Sequence, residues 1–138
     1  MADALPPALD RMLALWNGAT DIDPADVYVA GCLLNGGSAS FEPDAVMANI
    51  GDYRAAFPDL RWSVEEWFSA GDRYVLRMRC AGTHTGAPFT TELGAAKAAG
   101  ERVEFAGIEV FEVKDDRIVD VWLGWDRAPL LVALGATF

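Results

Sequence analysis

The sequence predicts an α+β domain, and three observations carry the prediction. Apolar residues recur at helical spacing through the first 57 residues. From residue 60 to residue 125, outside a Gly- and Ala-rich stretch at 85–101, they alternate with a period of two. Turn sequences at Ala70-Gly71-Asp72 and Lys114-Asp115-Asp116 divide that region into strands suited to antiparallel pairing. Helices first and strands after is the α+β pattern. With 138 residues the chain can bury one core of real size, so residues 1–138 are expected to form a single domain.

Residues 8–17 form the first helix. Leu9, Met12, Leu13 and Trp16 fall on one face, Pro6 and Pro7 suit its entry, and Gly18 ends it. Residues 21–26 read as a loop or a short helix after an Asp cap, with Pro24 in its first turn. Residues 27–34 fit either the end of that helix or a strand, before Asn35-Gly36-Gly37 breaks the pattern. Residues 40–57 form the second helix, with Val46, Ile50, Tyr53 and Phe57 on its stripe and Pro58 as its stop.

Four long strands follow. Trp62, Val64, Glu66 and Phe68 share one face of the first. The second puts Tyr74, Leu76, Met78, Cys80 and His84 on one face, with Arg77 and Arg79 opposite. Residues 85–101 read as a loop with room for one helical turn. The third strand aligns Val103, Phe105, Gly107, Glu109, Phe111 and Val113. The last, residues 117–125, alternates Val119, Val121, Leu123 and Trp125 with Ile118, Asp120, Trp122 and Gly124. Leu130, Leu131 and Leu134 then form a short helical stripe, closed by Gly135. Several strands are apolar on both faces, and the chain has five tryptophans. Exposed aromatic sheet faces are unfavourable in a monomer, so a homodimer packed through the outer sheet face is expected.

Charge and motifs remove whole classes of function. Eleven basic against twenty-one acidic residues give a net charge of −10. That balance disfavours nucleic acid and anionic membranes as partners. No stretch approaches the length of a membrane span, and the first residues lack the basic start and apolar run of a signal peptide. A cytoplasmic, reduced protein with Cys80 as a buried thiol is therefore expected. One histidine and two distant cysteines do not make an ordinary zinc site, so no metal is expected. Phosphate-loop, dinucleotide and nucleophile-elbow motifs are absent from the sequence.

What remains is acid–base work by a carboxylate in an apolar pocket, or binding alone. Glu109 is the leading candidate, because its strand face is otherwise made of Val103, Phe105, Phe111 and Val113. Desolvation there would raise its pKa and poise it to move protons near neutral pH. The plainer alternative is a rim position or a cross-strand pair with Arg77 or Arg79. His84 is a second catalytic candidate, with a structural role as its alternative. Asp126 suits an N-cap of the last helix, and Asp120 is expected to be exposed or at an interface.

One ordered set of short motifs runs nearly the whole chain. It comprises Leu34-Asn35-Gly36, Phe57-Pro58-Asp59, Gly82-Thr83-His84-Thr85-Gly86, Phe105-x-Gly107-Ile108, Arg117-Ile118 and Leu130-Leu131-x-x-Leu134-Gly135. In this the chain resembles the SnoaL-like polyketide cyclase family. The resemblance implies a nuclear transport factor 2-like cone, a curved antiparallel sheet wrapped around the N-terminal helices. It also implies a dimer without metal or organic cofactor, and an intramolecular aldol cyclisation in which an aspartate moves protons. The family ends its last strand with Trp-Asp-x-x-Asp. Here Trp122-Leu123-Gly124-Trp125-Asp126 keeps the second aspartate and puts Leu123 in place of the catalytic one. By the same matching Glu109 falls where a pocket histidine can stand, Trp16 at an aromatic pocket position and Asn35 at a polar one.

Two functions follow as expectations. The first is a cofactor-free cyclase or isomerase acting on a small hydrophobic carbonyl compound, with Glu109 and His84 catalytic. Trp16, Asn35, Tyr53, Phe105, Val121, Leu123 and Trp125 would contact the substrate. The second is a non-catalytic dimer of the same fold that binds a small molecule.

Overall fold

In the computed structural model, residues 4–135 are described. Helix α1 (Pro7–Trp16) starts with proline in its first turn, where a missing N–H costs nothing. No side chain of its own caps it. Instead Asp116, from a turn near the other end of the chain, accepts from the Ala8 N–H (2.9 Å) and pairs with Arg11 (3.0 Å). At the opposite end, Asn17 bonds the backbone of Trp62 twice, at 2.7 and 2.9 Å. Asp23 then caps a 3₁₀ turn (Pro24–Asp26) by accepting from Ala25.

The ambiguous residues 27–34 become strand β1 (Tyr28–Leu34). The second helix is shorter than expected. Ala39–Phe41 forms strand β2 against β1, and helix α2 (Pro43–Ala56) begins only at the proline. The four long strands are β3 (Arg61–Ala70), β4 (Arg73–Thr83), β7 (Arg102–Lys114) and β8 (Arg117–Trp125). Between β4 and β7, the stretch read as a loop contains a small hairpin, β5 (Phe89–Thr91) with β6 (Gly94–Ala96). Helix α3 (Ala128–Ala133) follows β8, and Gly135 leaves it at φ +100°.

The main sheet has the order β2-β1-β8-β7-β4-β3. Its curved inner face packs on α1 and α2, as expected of the cone. It is mixed, not wholly antiparallel, because β1 joins β8 in parallel. Such a pairing requires a long connection, and nearly all the remaining chain supplies it. Among the described residues no helix is long and apolar enough to cross a membrane.

Two register shifts correct the expected strand faces. One lies between Val64 and Glu66 on β3. Beyond it Trp67, not Phe68, turns inward, and Phe68 is 61% exposed. The other lies on the β7–β8 pair, where Val113 meets Ile118 and Glu112 meets Asp120. Val119 is the extra residue, so Ile118 joins the buried face in its place.

Candidate functional site

Register across three strands builds the floor of the site. Leu76, Glu109 and Leu123 are successive partners on β4, β7 and β8, and Met78, Gly107 and Trp125 are the next row. Partners in register share a face, so one carboxyl group stands in an otherwise apolar floor. Gly107 makes the second row possible. A Cβ there would lie 2.5 Å from Cδ2 of Trp125, so the indole rests directly over the glycine. Trp125 then meets Trp62 edge-on at 5.0 Å and Phe105 at 5.4 Å. Trp62 in turn meets Trp16 at 5.1 Å.

This wall encloses a cavity of about 470 Å³, bounded by Met12, Trp16, Tyr53, Trp62, Met78, Phe89, Phe105, Glu109, Leu123 and Trp125. Asn49, Asp52, Thr90 and Arg127 line it too, as its polar part. A second cavity of about 270 Å³ is lined by Tyr28, Leu34, Phe41, Val46, Phe111 and Val121. The two share Met12, Trp16, Asn49, Glu109 and Leu123, so Glu109 stands where they meet. Arg127 is held by Glu92 (3.2 Å), which links the start of α3 to the β5–β6 hairpin.

Burial pushes the Glu109 carboxyl up to about 7, and the Trp125 side chain pulls the other way. Glu109 is half-buried and lines both cavities. The cross-strand ion pair is not made. Arg77 and Arg79 lie on the opposite face, taken by Glu65, Glu66 and Glu104. A largely desolvated carboxyl without a cationic partner among the described residues can take a proton from a ligand and return it at neutral pH.

The structure brings together Trp16, Tyr53, Phe105, Glu109, Val121, Leu123 and Trp125. It does not bring in His84 or Asn35. His84 is 1% exposed, stacks on Phe57 at 4.9 Å and donates from Nε2 to the Ala87 carbonyl (2.9 Å). Its alternation along β4 fixes its face, but at the strand's end that face points into packing between β4 and α2. Asn35 sits at φ +51° and accepts from the Leu123 N–H (3.0 Å), so it fixes the edge of the site from outside. Val119 lines neither cavity, for the register reason given above.

Two acids correct earlier expectations. Asp120 is 4% exposed and accepts from the Gly36 N–H (3.3 Å), so it is buried, although outside both cavities. Asp126 accepts from the Ala128 N–H (3.2 Å), while the capping position itself belongs to Arg127. No group of three or more His, Cys, Asp or Glu side chains converges among the described residues. Met12, Tyr28, Asn49, Asp52, Trp62, Phe89 and Arg127 are lining residues that sequence reasoning missed. Asn49 and Asp52 flank the apolar stripe of α2, which is a usable signal; Tyr28 lies in a stretch with no clear period.

Comparison with known proteins agrees with this architecture. Residues 7–134 match the family model described as SnoaL-like polyketide cyclase. No curated protein matches the chain. Among solved structures, it is similar to a proposed SnoaL-like polyketide cyclase from Jannaschia, with 21% identity, a TM-score of 0.73 and both chains covered 100%. It is also similar to IdmH, a proposed polyketide cyclase from Streptomyces antibioticus, with 21% identity and a TM-score of 0.70, covering 94% of this chain and 96% of that one. AclR, a proposed hydroxylase from Streptomyces galilaeus, gives 24% identity and a TM-score of 0.71, covering 93% of this chain and 78% of that one. At these identities the structural likeness carries the fold alone.

Proposed function

Because the chain belongs to the SnoaL-like polyketide cyclase family, we propose that it is a cofactor-free acid–base catalyst acting on a small hydrophobic carbonyl or polyketide-like compound. The reaction is a cyclisation or isomerisation through an enolate. The observation that carries this reading is the cross-strand pairing of Glu109 with Leu123. The family resemblance puts the catalytic aspartate at position 123, where leucine can neither give nor take a proton. Its register partner on β7 is a carboxylate facing the same cavities, so the acid reaches the same region from the neighbouring strand.

Glu109 removes a proton from the carbon beside the carbonyl; the C–H pair becomes a C=C bond and the carbonyl π pair moves onto oxygen as the enolate forms. The carboxylic acid then returns the proton at another atom. Trp16, Phe105 and Trp125 hold the apolar body of the substrate and exclude water.

The test uses an enolisable aromatic ketone, 2-acetonaphthone, and follows exchange of its methyl protons for deuterium by NMR. The wild-type protein is expected to accelerate exchange over buffer, and Glu109→Gln to lose about a hundredfold or more of that rate with its melting transition retained. Full exchange by Glu109→Gln would overturn the assignment. The second reading is a dimer that binds a hydrophobic ligand without acting on it, favoured by the loss of the acid at Leu123. Binding of the ketone without accelerated exchange is its signature.

A further inference from the structure

The cavity on the far side of Glu109 is almost wholly apolar, being lined by Leu34, Phe41, Val46, Phe111 and Val121. Besides Glu109 and Asn49, which it shares with the first cavity, one hydroxyl interrupts it. Tyr28, at the start of β1, is 4% exposed, and its ring is fixed edge-on against Phe41 at 5.5 Å. Trp16 donates its indole N–H to the Tyr28 oxygen (3.2 Å). An indole nitrogen is a donor only, so this contact occupies a lone pair of the hydroxyl and leaves its proton unspent. Among the described residues the hydroxyl makes no other hydrogen bond.

A buried O–H donor without an acceptor is costly unless something else supplies one. Glu109 and Tyr28 line the same cavity and lie near enough for the carboxylate charge to act on the phenol. Burial first, and that charge with it, holds the phenol protonated far above its ordinary range, so the group stays a donor.

We propose that the Tyr28 hydroxyl is a catalytic hydrogen-bond donor, holding the substrate's carbonyl oxygen while Glu109 works on the adjacent carbon. This rests on the acid–base reading of Glu109. As the C–H bond breaks, the proton passes to Glu109 and a C=C bond forms. The carbonyl π pair moves onto oxygen, and Tyr28 meets the charge that gathers there. Trp16, by donating to the phenol oxygen, orients the hydroxyl and polarises it. Its role is positioning.

The experiment reads the carbonyl itself. 2-Acetonaphthone labelled with carbon-13 at the carbonyl is bound to the protein, and its C=O stretch is recorded by difference infrared spectroscopy. In wild type the band is expected to move below its position in an apolar solvent. In Tyr28→Phe that displacement is lost, and methyl exchange falls about a hundredfold, the scale of removing one donor from an oxyanion site. Should Tyr28→Phe not fold, Trp16→Phe reports instead: a reduced displacement supports the role, and an unchanged one overturns it. A stretch identical in wild type and Tyr28→Phe, or no binding by wild type, overturns the proposal whatever the exchange rates. A displacement lost in Tyr28→Phe when wild type gives no exchange leaves Tyr28 as the ligand's donor and removes Glu109 as the base.

Discussion

Protonation of Glu109 is tied to the stability of the fold. Its carboxyl has an ordinary value of 4.5 when solvated and about 7 in the folded protein. Between those two pH values the folded state holds the proton more tightly than the unfolded state. The stabilisation from this group is therefore full below about pH 4.5, declines as pH rises, and is gone above about 7. The span is on the order of 3 kcal/mol. Glu109→Gln, which cannot ionise, should gain stability relative to wild type by up to roughly that amount at pH 8 and by little at pH 4.5. Urea unfolding at the two pH values measures it. Activity has the opposite sign, since the base is the ionised form. The same residue was legible in the sequence because strand alternation places it among Val103, Phe105 and Phe111. His84 obeyed the same alternation and still missed the cavity, because alternation fixes a face and says nothing about position along the strand. Tyr28 gave no signal at all.

Among the elements, the four long strands were readable, and what was missed traces to bulges or to short length. A bulge inverts the alternation of β3 beyond Val64, and another displaces Val119 from the face of β8. Neither leaves a mark in composition. The β5–β6 hairpin has strands of three residues each, too short for any period to show. Gly107 is the element-scale feature most open to test. Adding a methyl group would drive a Cβ to within 2.5 Å of Trp125, whose indole is already held by Trp62 and Phe105. Gly107→Ala should cost about 1–3 kcal/mol, the usual penalty of overpacking, and displace Trp125 from the cavity wall. Thermal melting gives the cost, and a shift in tryptophan fluorescence reports the displacement.

For the whole molecule, the outer sheet face carries a continuous apolar row. Phe68, Val75, Val110 and Trp122 are successive register partners across β3, β4, β7 and β8, with Ile108 exposed beside them. Ion pairs of Glu65 and Glu104 with Arg77 and Arg79 border the row. The homodimer we propose would bury this strip, and Ile108→Glu should convert it to a monomer. Sedimentation velocity at tens of micromolar protein decides, with equal sedimentation of both proteins counting against the interface. Two subunits at −10 each repel, so added salt should tighten the pair. The α+β class could be read from the order of periods. The β1–β8 contact could not, since it joins opposite ends of the chain.

The docking of α1 has a consequence for how the site comes into being. Met12 and Trp16, which wall both cavities, belong to the first helix made. Its entry is fixed by Asp116, while Glu109, Leu123 and Trp125 face it from the last two strands. On the ribosome, that helix can meet Tyr53 and Trp62 early, but it must wait for roughly a hundred further residues, several seconds of synthesis, before the strands that close the site over it are made. A nascent chain that stops before β7 holds most of the lining but lacks Glu109, Leu123 and Trp125. The site is therefore completed only when the end of the chain closes on its beginning.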